Sequence, residues 1–424
     1  MNMIKAIWDY LTSVFRPVKG DIPSLNPLRV FGLLAVITAH FAQTLEANDR
    51  ILNYSIYLRN IYDSASQFMD MFFVLSGFLI AGPLIARMES GKKLKFLEYF
   101  IKRTFRIFPA FYIFIAFYAF LLAPASLGKH ADTAAAVQQI QNRAYVEFLY
   151  LSNYLEGIQY HTWSLALEEQ FYLLIPFFLA LVYIRTPSRN REWLLIGLYV
   201  LPLLYRIWAY FTFMSDVPSD EMTHAYHKYI YHPFHAHCDS LIMGVLLGRL
   251  HSARSVELKN FFANKTLSSS ILAAGTVVII PVSLFTNEFE YGFLNQVVRF
   301  NIFSLYYGYL ILMLVYRPEF WLSRLFSYSI FSAPAKLTYT AYIIHVLGSL
   351  FAFQLFIGLG WMPADGYIQH SHVALYGVAG GLCIMALAYF YYLLTEKPFM
   401  ALRDWIIGRM KGRPTQHLHP EQSR

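Results

Sequence analysis

Apolar residues fill windows of about 20 along most of the chain, parted by short polar segments, and each window is long enough for a helix to cross a bilayer. Ten such windows fall near 28–45, 67–86, 107–124, 166–184, 193–212, 234–250, 267–286, 297–316, 337–357 and 373–394. They predict an all-α integral membrane protein, a bundle of about ten transmembrane helices over 24–400. The one long segment between spans runs from Ala125 to Thr162, and neither an internal repeat nor a second, soluble domain interrupts the series.

Ahead of the first window, Ile4, Trp8, Leu11 and Phe15 recur at helical spacing, with Lys5, Asp9, Ser13 and Arg16 opposite them. Residues 1–23 therefore read as an amphipathic segment that either lies flat on the inner leaflet or packs on the protein as a solvated helix. The stretch has no long apolar core and no small-residue cleavage site, so a signal peptide is not expected. Residues 401–424 read as a cytoplasmic tail, disordered from Arg413 onward.

Composition agrees with this pattern. Hydrophobic residues make up 57% and charged residues 14% of the 424 positions, against about 25% charged in soluble domains. Too few charges are present to cover a soluble surface, which excludes a disordered chain and an ordinary globule. The net charge of +8 invites a nucleic-acid reading, but its distribution removes it. Of the 34 Lys and Arg, 27 fall in the alternate segments that include both chain ends; Arg50, Arg59, Lys129, Arg143 and Lys228 fall in the others, and Arg206 and Arg299 within spans. That bias predicts both termini in the cytoplasm and no nucleic-acid partner. The two cysteines, Cys238 and Cys383, can build neither a disulfide framework nor a four-thiolate zinc site.

Polar groups inside spans are costly and mark candidate chemistry. Arg29 and His40 stand eleven residues apart in the first span, about 16 Å along a helix, which sets Arg29 at the inner rim and His40 near mid-membrane. His40 reads either as a base or nucleophile or as an interhelical hydrogen-bonding group. Asp70 enters the second span from the outer side, to orient an imidazole or to lie in interfacial water, and Ser76-Gly77 reads as a close helix contact. Arg103 and Arg106 share one helical face, a guanidinium pair suited to phosphates, while Lys102 reads as an anchor. Glu168 and Glu169 open the fourth span; adjacent helical residues diverge by about 100°, so one is expected to face the interior and the other the outer interface. Trp163 reads as an interfacial anchor or an acceptor contact, and His161 and Ser164 as acceptor contacts or loop residues. His232, His235, His237 and Asp239 superficially resemble a metal cluster, but no second shell supports one, no metal is expected, and Asp239 alone would serve a structural polar network. His345 lies midway along the ninth span. Glu396-Lys397-Pro398 closes the tenth as a helix end.

Taken in order, these segments resemble the membrane acyltransferase family 3. The matching stretches are Leu28–His40, Asp70–Ile80, Arg103–Tyr112, Trp163–Pro176 (which includes Ser164 and Tyr172), Asp239–Gly244, Leu337–His345 and Glu396–Pro398. The resemblance implies a ten-helix enzyme of the bacterial inner membrane that moves an acyl group, most often acetyl, from cytoplasmic acyl-CoA to a hydroxyl of a cell-envelope carbohydrate. Arg29, His40, Arg103 and Arg106 match the family's recurrent functional positions. Two departures stand out: Asn26-Pro27 replaces an Asp-Gly pair, and His237 holds a place where arginine is frequent. Some members carry a further hydrolase-like domain, so this chain is expected to finish the transfer itself or to hand the acyl group to a partner acyltransferase or a second copy.

The combined expectation assigns Arg29, Arg103 and Arg106 to the CoA phosphates, with His40 deprotonating the acceptor or carrying the acyl group. Glu168 holds the acceptor or orients His40, and Asp70 is the reserve orienter. Trp163, Ser164, Tyr172, Asp239 and His345 line the acceptor side. The donor is a substrate, acyl-CoA, rather than a resident cofactor; the other partners are a glycan or lipid-linked sugar and membrane lipids. A transporter is the competing class, but its pointer, helices interrupted at matching places in two halves, is not met by Pro83, Pro176, Pro202 and Pro281. A membrane sensor needs no mid-membrane histidine beside an arginine clamp.

Overall fold

A computed structural model describes residues 2–16, 20–48, 50, 60–62, 64–127, 131–218, 220–284, 292–363 and 366–412. Among these residues the chain is helical and holds no strand. The principal helices are α1 (Asn2–Leu11), α2 (Asn26–Ala47), α3 (Phe68–Glu89), α4 (Phe96–Phe117), α5 (Ala131–Phe148), α6 (Trp163–Phe178) and α7 (Arg191–Ala209). They continue with α8 (Asp239–Ala253), α9 (Lys265–Leu284), α10 (Arg299–Tyr316), α11 (Ser332–Gly358), α12 (His370–Leu394) and α13 (Glu396–Met410). Nine helical segments among the described residues are long and apolar enough to cross a membrane. Arg59, Lys129 and the tail from Arg413 lie outside the described residues, whereas α13 carries helix ten residues past position 400.

The window at 234–250 departs from expectation. Pro233 and the histidine-rich run break it into a four-residue turn, Phe234–His237, and the 15-residue α8, about 22 Å long and too short for a bilayer core of about 30 Å. Protein covers α8 instead. It packs against α3, α7 and α10, and it meets α3 backbone to backbone. A Cβ on Gly77 would overlap the carbonyl oxygen of Leu241 and lie 2.9 Å from Gly244 Cα, and one on Gly248 would lie 2.8 Å from Gly82 Cα. Gly77 is thus the helix contact read from the sequence, while Ser76 hydrogen-bonds the Tyr172 hydroxyl.

Both described chain ends sit at one end of the bundle. The Tyr10 hydroxyl donates to the Leu393 carbonyl at 2.5 Å, and Lys411 Nζ donates to Glu98 Oε1 at 2.9 Å. The core is apolar and aromatic; Phe73, Phe111, Phe300 and Ile343 are fully enclosed.

Candidate active site

The segment before α6 is held by one carboxylate. Glu147 Oε1, at the end of α5, accepts from the Ile158 and Gln159 amides at 2.9 and 3.3 Å and from the Thr162 hydroxyl at 3.0 Å. Burial raises the Glu147 carboxyl above its usual range, against the opposing pull of those donors. The clasp fixes where α6 starts, so Glu168 and Tyr172 lie deep inside the bundle.

A cavity of about 360 Å³ opens between α2, α3, α4, α6 and α11, toward the end that carries the chain termini. Arg29, Arg103, Arg106 and Lys336 bring basic side chains to its wall, and Asp21, Glu168 and Glu169 bring carboxyl groups. The three guanidinium groups lie within electrostatic reach of one another. Arg103 rests 5.7 Å from the Tyr172 ring centroid, and its buried Nε has no hydrogen-bond partner. A buried, unpaired guanidinium donor beside two like charges is an arrangement that an anion would complete. Ser164 and Tyr342 line the far wall, their hydroxyls 2.6 Å apart.

Behind Tyr342 stand three histidines. His40 Nδ1 lies 2.5 Å from His345 Nε2, and His345 Nδ1 lies 2.5 Å from the Tyr342 carbonyl oxygen. The His40 and His345 ring planes are within 15° of parallel, with centroids 4.8 Å apart, a separation that fits two rings joined through their edge nitrogens. A carbonyl only accepts, so His345 carries its proton on Nδ1 and offers Nε2 as acceptor to His40 Nδ1–H; the lone pair of a neutral His40 is then on Nε2. His161 stands edge-on to His345 at 4.7 Å. Its Nε2 faces the Ile343 carbonyl at 3.2 Å, and its buried Nδ1 has no partner.

Several expected site residues lie elsewhere. One of Glu168 and Glu169 was expected at the outer interface, yet both line the cavity that holds the arginines. Both fit because the cavity wraps around α6 and spans the 100° between them. Asp70 does not reach His40; it accepts from Ser240 Oγ at 2.6 Å and faces His237 Nε2 at 3.0 Å. His237 Nδ1 faces the Tyr231 carbonyl at 2.7 Å, so with an acceptor at each nitrogen the ring stands where an arginine would also have donated twice.

Asp239 is not placed to bind substrate. It is fully enclosed, pairs with Arg206 Nη2 at 2.7 Å and accepts from Asn301 Nδ2 at 3.2 Å. Trp163 does not line the cavity; its ring is parallel to His232 at 4.8 Å and to His237 at 5.7 Å, and His227 stacks on His232 at 4.7 Å. This stack accounts for His232 and His237, while His235 stacks on Tyr154 with ring centroids 5.9 Å apart. Burial lowers His227 to about 4 and holds His232 well below the usual imidazole range. No group of three or more His, Cys, Asp or Glu among the described residues could hold a metal.

Three residues carry roles that the sequence reading did not assign. Arg206 is the partner of Asp239. Tyr342 joins the cavity to His345, and its position three residues before His345 puts both on one helical face. Glu396 is buried, accepts from the Thr340 hydroxyl and lies within the field of Arg106; its place in the matching Glu-Lys-Pro stretch was the available signal.

An acyltransferase-domain family model matches residues 22–395. The peptidoglycan O-acetyltransferase OatA of Listeria monocytogenes is 26% identical over 344 residues, 76% of this chain and 49% of its own length. An O-acetyltransferase OatA of Staphylococcus aureus is 30% identical over 176 residues, 40% of this chain and 26% of its own. A putative O-acetyltransferase of the same species is 24% identical over 361 residues, 82% of this chain and 53% of its own. This chain therefore spans about half the length, or less, of the curated relatives it matches. No solved structure matches it. With a family model covering nearly all of its helical bundle, the chain belongs to the acyltransferase-domain family, the membrane acyltransferases whose motifs its sequence carries.

Proposed function

We propose that the protein is an O-acyltransferase of the bacterial inner membrane, moving an acetyl group from acetyl-CoA to a hydroxyl of a cell-envelope carbohydrate. The carrying observation is the cavity in which Arg29, Arg103 and Arg106 gather around the unpaired Arg103 Nε, with a histidine pair behind its far wall. The arginines bind the donor's phosphates, and Lys336 widens the positive rim. Arg29 and His40 are about 16 Å apart along α2, a distance that suits an extended pantetheine arm between phosphates and thioester. His40 Nε2 takes the proton of the attacking hydroxyl, the acceptor oxygen bonds to the acyl carbon, and the thiolate of CoA leaves. His345 acts through His40, as a positioning residue.

The printed name of the Listeria relative supports peptidoglycan as a candidate acceptor, beside the sugars of other envelope glycans. The test is transfer of label from acetyl-labelled acetyl-CoA into envelope glycans by membranes carrying wild type or His40→Ala. Label with wild type alone supports the assignment. Equal label with both removes His40 from the chemistry, and CoA that does not bind the purified wild type removes the donor.

A further inference from the structure

The N-terminal helix α1 presents a broad apolar face that none of the described residues covers. Met3 and Ile4 are each 75% exposed, Trp8 66% and, beyond the helix, Phe15 67%; Ile7 and Leu11 are exposed on the same arc. Lys5 and Asp9 occupy the other side. Yet the helix is not loose. The Tyr10 hydroxyl donates to the Leu393 carbonyl, Lys397 Nζ donates to the Tyr10 carbonyl and sits 3.3 Å from the centre of its ring, and the Tyr389 hydroxyl donates to the Leu11 carbonyl at 2.9 Å. Every one of these ties is to the last two turns of α12 or the start of α13. The outer face of that part of α12 is itself apolar and exposed, with Phe390 at 62% and Leu394 at 74%. The apolar face of α1 thus continues the lipid-facing surface of a spanning helix, at the bundle end where Arg16, Lys336 and Lys397 collect.

The same segment reaches the cavity. Lys336, a cavity-lining residue, donates from Nζ to the carbonyls of Val14 at 2.7 Å and of Arg16. Four residues beyond Arg16, Gly20, Asp21 and Ile22 form part of the cavity wall, and Asp21 accepts from Asn26 Nδ2 at 2.6 Å.

We propose that α1 is seated in the surface of an anionic lipid leaflet, and that this seat holds the rim of the donor cavity in place through the Lys336 contacts. An apolar arc with an aromatic residue at its edge and cations beside it fits the boundary between acyl chains and anionic headgroups. The seat stands on the geometry of α1 alone; its effect on the donor rests on the functional reading above.

The full chain in nanodiscs tests both halves separately. Tryptophan fluorescence is compared between wild type and Trp8→Phe, in discs of phosphatidylglycerol and phosphatidylcholine with and without bromine on the acyl chains. The expected result is a bromine-quenched component present in wild type and missing from Trp8→Phe. A Trp8 component quenched by aqueous iodide and not by bromolipid overturns the seat in favour of a solvated helix; one quenched by neither places α1 against protein, a second copy included, and overturns it as well. For the rim, Ile4→Ser with Ile7→Ser weakens the seat without touching the cavity. CoA affinity is expected to fall at least about threefold in anionic discs, with circular dichroism unchanged. Unchanged affinity in a variant that has lost bromolipid quenching overturns the coupling. A wild type that binds no CoA overturns the donor reading and the coupling with it, and leaves the seat to the fluorescence result.

Discussion

The Arg206–Asp239 pair decides whether Asp239 belongs to substrate recognition or to the scaffold. Both side chains are fully enclosed. Arg206 donates to four groups: Nε to the Val297 carbonyl at 3.0 Å, Nη1 to the Ala236 carbonyl, and Nη2 to Asp239 and Asn301 at 2.7 Å each. Asp239→Asn removes the countercharge but leaves three neutral acceptors around the guanidinium, so the loss should fall at the low end for breaking a buried pair, about 3 kcal/mol. Arg206→Met leaves the carboxylate with only Asn301 Nδ2 and the Ser240 amide, and should lie at the high end, about 5 kcal/mol. The double variant holds no unpaired charge, so its loss should be well below the sum, with a coupling of about 2 kcal/mol or more. Unfolding during SDS titration in mixed micelles, followed by tryptophan fluorescence, supplies the four stabilities. Additive losses would refute the pairing. An Asp239→Asn protein of wild-type stability with a raised acceptor KM would return Asp239 to the substrate.

Three further outcomes are expected. Arg106→Ala should raise the donor KM about tenfold with kcat held, equivalent to one charge-assisted hydrogen bond of about 1.4 kcal/mol; an unchanged KM would make Arg106 an anchor. His345→Leu frees His40 Nδ1 from its acceptor, so kcat should fall by more than about tenfold while donor KM stays put, and full kcat would show that His40 needs no positioning. Because burial raises the Glu147 carboxyl in the folded chain, the folded state holds its proton at a pH where the unfolded state has released it. The contribution of this group is present below the unfolded value near 4.5 and declines as pH rises through the folded value. Glu147→Gln should flatten the stability profile in that window, and an unaltered slope would assign it to other groups.

Much of this arrangement was legible in the sequence, for identifiable reasons. Long apolar windows announce spanning helices because lipid forces every backbone group to be satisfied within the helix. The arginines at 29, 103 and 106 were legible as a set because a charge at a span end needs a reason. What failed was pairing at a distance. Arg206 and Asp239 are 33 positions apart and His40 and His345 are 305 apart, and no local periodicity records such contacts. The charge inside the fifth span and the carboxylate beside the sixth were each visible; taking them as mutual partners would have removed Asp239 from the substrate side. The window at 234–250 misled because apolar content reports burial and cannot tell lipid from protein.

The glycine crossing of α3 and α8 has a mechanical consequence. Ser76, on the cavity wall, immediately precedes Gly77, whose backbone abuts α8, so that wall is a stator that no rotamer change can shift. A ligand entering the cavity is therefore accommodated by its other walls, α2, α4, α6 and the start of α11.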